Sequence, residues 1–257
     1  MNRAFAAVLA LVLALLAAPA FAPYDASRTA PDEILSGPSV AHPLGTDALG
    51  RDVLSRVLVG GQRTLVQALG ATAVAVLTGA LAGIAIALGP SWISVPAAAV
   101  STALLAVPQL VWSLALLTLL GVGPGPLIVA VGVPLAAPMA AVTRAALDQV
   151  QSMPFILSAR AVGAGWWWTI SRYLLPNAMG VLARYSAVLF AYAILNAAGL
   201  AFLGFSAPGE PEWGSMLAVA RQTFRVSPWP ALASGAAITL LVWGTLVLSR
   251  RAARFKP

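Results

Sequence analysis

The chain has 257 residues, 60% of them hydrophobic and only 9% charged, with a mean hydropathy of +0.89 and a formal net charge of +7. A soluble domain carries about a quarter charged residues, so this composition is that of an integral membrane protein. Cysteine is absent, and histidine and lysine occur once each, as His42 and Lys256. Disulfides, thiolate or His-cluster metal sites and a GxxxxGK phosphate loop are thereby excluded.

Six apolar runs are long enough to cross about 30 Å of hydrocarbon: 4–22, 64–88, 93–120, 126–147, 178–204 and 229–249. The first also has the basic start and Ala20-Phe21-Ala22 ending of a signal peptide. Its apolar run exceeds the usual core of about 7–15 residues, which favours an uncleaved anchor over a cleaved leader. The segment 23–63 follows. Within it, Pro43 and Gly45 predict a turn, and Thr46 or Asp47 a cap for a short amphipathic helix. Arg51, Asp52 and Arg56 take its polar side; Leu49, Val53, Leu54 and Val57 face the membrane. His42 reads as a structural histidine rather than a ligand.

Gly79 and Gly83 give the second span a GxxxG pair, the spacing that lets helices approach closely. Pro96, Pro108, Pro134 and Pro138 interrupt the third and fourth spans, which membrane helices tolerate when neighbours satisfy the freed carbonyls. Gln67, Gln109, Thr143 and Asn196 are neutral polar residues inside spans, where helix-to-helix contact is the common explanation. If the pore follows the third and fifth spans, Gln109 and Asn196 face it.

The loop 148–177 is basic and rich in tryptophan. Pro154 opens a helix and Gly163 ends it; a second short helix runs from Trp166 to Leu175 and is broken by Pro176. Trp166, Trp167 and Trp168 either present a docking surface to a soluble partner or sit in the lipid headgroup belt. Beyond the fifth span, Leu200 to Arg221 combines turn-forming Pro and Gly with Glu210, Glu212 and Trp213.

Six spans put both termini on one side. Placing that side in the cytoplasm gives +8 inside and −1 outside, which together make the net +7. Positive charge gathers inside, so 148–177 and the basic tail SRRAARFKP are cytoplasmic, and 23–63 and 205–228 are external. The charge is therefore topological and does not point to nucleic acid.

Three segments carry a resemblance. HPLGTDxxGRDVLSR at His42–Arg56, Ser158-Ala159-Arg160-Ala161-Val162-Gly163 with Leu175-Pro176, and LAFLGFSAPGEPEWGSML after Leu200 resemble the permeases of dipeptide, oligopeptide and nickel ABC importers. The resemblance covers about 42–230. It departs at Leu157, where the family has a glutamate, at Trp166 and Trp168, where polar residues are usual, and at the tail, where a GDGLRD-like ending is missing.

The resemblance implies an all-α integral membrane protein of six transmembrane helices with a type I ABC importer permease core. Its parts are an N-terminal helix 1–22, an external segment 23–63 and a core 64–257. It implies that Leu157, Ser158, Ala159, Arg160, Gly163, Trp166, Trp167, Trp168, Leu175 and Pro176 form the coupling element for an ATPase. Glu210, Glu212 and Trp213 would meet a substrate-binding protein. Implied partners are a second homologous permease, two ATP-binding subunits that hold ATP and Mg, and a periplasmic or lipid-anchored binding protein. The chain would be a non-catalytic translocation subunit of the bacterial inner membrane. It would move peptides, nickel or metal chelates by alternating access. A secondary transporter or channel is the alternative, disfavoured because no Asp or Glu lies inside a predicted span. An intramembrane enzyme is disfavoured because catalytic dyads are lacking.

Overall fold

The computed structural model of the protein describes residues 12–207 and 209–253. Its helices are α1 (Val12–Phe21), α2 (Val53–Leu88), α3 (Ser91–Ala106), α4 (Gln109–Leu120), α5 (Pro124–Gln151), α6 (Pro154–Ala161), α7 (Trp166–Phe202), α8 (Trp213–Thr223) and α9 (Trp229–Ala253). Among the described residues, α2, α5, α7 and α9 are each long and apolar enough to span a bilayer. The helices α3 and α4 are bent by 101° about Val107-Pro108 and pass the same test only as a pair; counted as one broken span they bring the number to five. Pro108 removes a backbone donor and forces its predecessor out of the helical region; Val107 is accordingly extended. The predicted first span is described only from Val12, and Arg3, Arg254 and Lys256 lie outside the described residues.

Two predicted helices are corrected. No separate amphipathic helix forms over 46–56, and the boundary drawn at residue 63 falls inside α2. Gly45 and Gly50 adopt left-handed φ of +73° and +71° and turn the chain tightly. The true cap is Asp52, whose carboxylate accepts the Ser55 amide at 2.7 Å. Val53 is therefore buried, while Leu49 stays exposed. The second correction concerns Pro176, which does not break the chain into a short helix and a span. Between Ile170 and Leu174 the helix widens to a π turn, closed by the Leu175 amide on the Ile170 carbonyl. That wider turn absorbs the missing proline N–H, and α7 continues unbroken from Trp166.

The bundle is built on α2 and α5, which run parallel. Gly70 meets Ile128, Gly132 meets Ala71 and Val74, Gly79 meets Ala136 and Met139, and Gly83 meets Ala140 and Thr143. A Cβ on Gly83 would stand 2.5 Å from Thr143 Cβ, and one on Gly132 2.7 Å from the Ala71 carbonyl oxygen. The GxxxG pair is thus half of a seam in which two backbones touch. Around it Leu65, Ala68, Leu127, Leu135, Leu189, Ile194 and Leu200 form the main core. A second cluster joins Ile84 and Leu88 of α2 to Leu147, Val150, Ile156, Ile170 and Leu174. Hence 23–52, 203–207 and 209–228 gather at one end of the bundle, and 152–165 at the other.

A β-branched residue in the seam should overpack it by roughly 1–3 kcal/mol or more. Gly83→Val should therefore lower the thermal midpoint of the purified chain, while Gly125→Ala, with nothing near the new methyl, should change it within about 0.5 kcal/mol. Equal midpoints for the two variants would contradict the seam.

Candidate functional sites at the two ends of the bundle

At one end, 42–56 ties itself into a knot. His42 sits between two carboxylates, with Nδ1 2.8 Å from Asp52 Oδ1 and Nε2 3.0 Å from Glu33 Oε2. Thr46 donates its hydroxyl to the Glu33 carbonyl. Asp47 accepts from the amides of Leu49 and Arg51 and pairs with Arg51 and Arg56. Arg56 reaches back to the Ala26 carbonyl at 2.9 Å. The bond to Asp52, helped by Glu33, raises the His42 pKa against the opposing cost of burial.

This knot abuts α8. Trp213 is buried and donates its indole N–H to the Val57 carbonyl at 2.8 Å. Its ring lies on Gly61, where a Cβ would come within 2.7 Å. Gly214 is pressed on the Ala198 backbone of α7. Glu212 is buried too and accepts from Gln67 Nε2 at 2.7 Å. Burial pushes its carboxyl above the ordinary range, opposed by Gln67 and by the charge of Arg63. Of the three residues expected to meet a binding protein, only Glu210 is not buried; it is half-buried and pairs with Arg63. Glu212 and Trp213 instead lock α8 between α2 and α7.

At the other end, α6 opens at Pro154, and the chain turns at Gly163 with φ +85°. Ala159, Ile170 and Leu174 are buried, so the loop is anchored from beneath. Ser158 is exposed and bonds only within its own helix. Trp166, Trp167 and Trp168 are 50%, 76% and 50% exposed. Trp168 meets Tyr173 edge-on at 5.1 Å, and Tyr173 lies 5.9 Å from Phe155. Leu175 is half-buried and Pro176 exposed. The side chains of Leu157 and Arg160 lie outside the described residues.

Between the two ends, the structure brings Gln109 and Asn196 together. Asn196 Nδ2 donates to Gln109 Oε1 at 3.2 Å, between the start of α4 and the C-terminal part of α7.

Residues 75–255 match the model of the binding-protein-dependent transport system inner membrane component family. The chain belongs to this family. The permease is 31% identical over 237 residues to a glutathione transport system permease protein of Pectobacterium atrosepticum, covering 91% of this chain and 79% of that one. It is 33% identical over 242 residues to a di/tripeptide transport system permease protein of Pseudomonas aeruginosa, covering 91% and 80%. In fold it is similar to a chain of the MetNI methionine ABC transporter in an inward-facing conformation. That pair has a TM-score of 0.63 at 16% identity, over 77% of this chain and 94% of the other. An amino acid ABC transporter matches at a TM-score of 0.60 with 16% identity, over 78% and 92%. The permease is thus an inner membrane component of a binding-protein-dependent transport system, with relatives among ABC importers named for peptides and glutathione.

Sequence reasoning missed the Trp213–Val57 and Glu212–Gln67 ties. Gln67, a lone amide in an apolar run, was their one visible trace. It also missed that the permease's HPLGTDxxGRDVLSR motif is a hydrogen-bonded knot rather than a helix.

The raised His42 pKa fixes a sign. Its folded pKa exceeds the unfolded value of about 6.5, so its stabilisation is fully present below about pH 6.5 and is lost as pH rises through the folded pKa. The thermal midpoint of wild type minus that of His42→Gln should therefore shrink between about pH 6 and pH 8.5. A difference independent of pH would contradict the clamp.

Proposed function

We infer that the permease is one of a pair of membrane subunits that carry short peptides inward by alternating access, driven by two ATPases that hold ATP and Mg. A substrate-binding protein would deliver the peptide at the 23–52 end. Peptides are favoured over nickel or metal chelates because the relatives are named for di/tripeptides and glutathione. A six-span topology with both termini cytoplasmic is favoured by the positive charge at the 152–172 end. In this reading the chain itself performs no hydrolysis. Gln109 and Asn196 line the path, because their paired amides sit beside the one broken span.

The observation that carries the reading is the loop 152–172. It is anchored beneath by Ile156, Ile170 and Leu174, hinged at Gly163, and presents three tryptophans outward. A rigid stalk with an apolar tip is what an ATPase groove can push and pull. Burying one large side chain contributes roughly 1.5–3 kcal/mol. An exposed ion pair contributes about 0–1 kcal/mol and is screened by salt. Trp167 is therefore the anchor, replacing the glutamate contact that Leu157 has lost.

Trp167→Ala should weaken ATPase retention on the purified complex by about tenfold or more, Arg172→Ala by less, and high salt should leave the wild-type complex intact. Loss of the ATPase in salt, together with its retention by Trp167→Ala, would assign the tryptophans to the lipid headgroups. Topology has its own check, since the chain lacks cysteine. A cysteine at the exposed Val40 should react with an impermeant maleimide on intact cells, and one at the exposed Val162 only after permeabilisation. The reverse order would invert the orientation.

A further inference from the structure

A cavity of about 170 Å³ opens between the 42–56 knot and α8. One wall is cationic, formed by Arg51 and Arg56 beside Asp47; the other is mostly apolar, with Met216, Val219 and Ala220. Arg56 and Asp47 are 5% and 7% exposed, and the Arg51 side chain 14%.

The charges on this wall do not balance. Both guanidiniums approach the same oxygen, Asp47 Oδ2, through Nε at 2.8 and 3.4 Å. The other oxygen, Oδ1, already takes the Leu49 and Arg51 amides at 2.8 and 3.1 Å. A carboxylate has about four acceptor positions, and an arginine five donors. Asp47 is therefore saturated. Among the described residues, Arg51 has no second acceptor, and Arg56 has only the Ala26 carbonyl besides Asp47. Glu210, the other acid on the cavity wall, is committed to Arg63. An excess positive charge withdrawn from water is costly unless an anion completes it. Arginine's forked donors match a carboxylate or a phosphate, and of these a short peptide carries the carboxylate.

We propose that this cavity is a carboxylate subsite that takes the C-terminal residue of a short peptide as it enters the permease. A cavity of roughly 150 Å³ holds a benzene-sized group, so there is room for one carboxylate and a small side chain, but not for a whole peptide. The carboxylate lies against Arg51 and Arg56, and the side chain against Met216 and Val219. The proposal rests on the peptide-import reading above and adds where and by which group the peptide is held.

Calorimetric titration of the full chain in nanodiscs tests it, with dialanine, dialanine amide and acetate as probes. Dialanine should bind, and the amide and acetate at least about tenfold more weakly. Arg51→Gln should weaken dialanine binding by at least about tenfold. Val219→Trp, at a partly exposed position outside the buried core, should do the same by filling the cavity without touching a charge. Equal binding of acid and amide, acetate binding as tightly as dialanine, or unchanged affinity in both variants would overturn the subsite. Dialanine uptake by the reconstituted complex separates the two levels. Uptake that persists unchanged in Arg51→Gln refutes the subsite alone, whereas no peptide uptake by the wild type refutes the import reading on which it rests.

Discussion

The backbone-to-backbone seam between α2 and α5 is the contact on which the rest of the permease depends. Glycines at 70, 79, 83 and 132 let two parallel helices touch along most of their length. In lipid there is little hydrophobic drive to bring helices together, so close packing of small residues must supply the attraction. Both functional ends hang from this pair. Val57, Gly60, Gly61 and Gln67 of α2 hold Trp213 and Glu212 at one end. Ile84, Ala87 and Leu88 of α2, with Leu147 and Val150 of α5, carry the base of the tryptophan loop at the other. If the pair is rigid, a movement of the loop reaches the other end.

The remaining spans attach more loosely. The broken span has no buried residue in its first arm, α3, and α4 buries only Ser113 and Leu117. Its hinge at Val107-Pro108 stands next to the Gln109–Asn196 amide pair. This division, a rigid seam beside a bent and lightly packed span, suits a subunit that must keep its shape in one half while opening in the other.

Much of this was legible in the sequence, and the reasons for success and failure are physical. Hydropathy marked the four long apolar helices and the bent α3–α4 pair that the structure describes, since a stretch of about 20 apolar residues is plain in a sequence. The Gly79/Gly83 spacing and the Gly163 turn were legible because glycine at those places has few other uses. The knot at 42–56 was misread as an amphipathic helix. Periodicity sees the alternation of charge and leucine, but it cannot see Asp47 and Asp52 bonding backbone amides a few residues away. Glu212 and Trp213 looked like surface residues because the groups that bury them, Gln67 and the Val57 carbonyl, lie 145 and 156 residues earlier. Pro176 read as a helix end, because nothing local announces a π turn in the preceding residues.

If one rigid α2–α5 body joins the two ends, its internal geometry must survive the transport cycle. Pulsed electron resonance between spin labels at Leu77 on α2 and Val129 on α5, both exposed, measures this directly in the assembled complex. The distance should be the same without nucleotide and with ATP trapped, while a pair reporting across the two permease subunits changes. A shift of the Leu77–Val129 distance beyond the width of its distribution would contradict the account. It would mean that the seam slides, and that loop and mouth are not mechanically one piece.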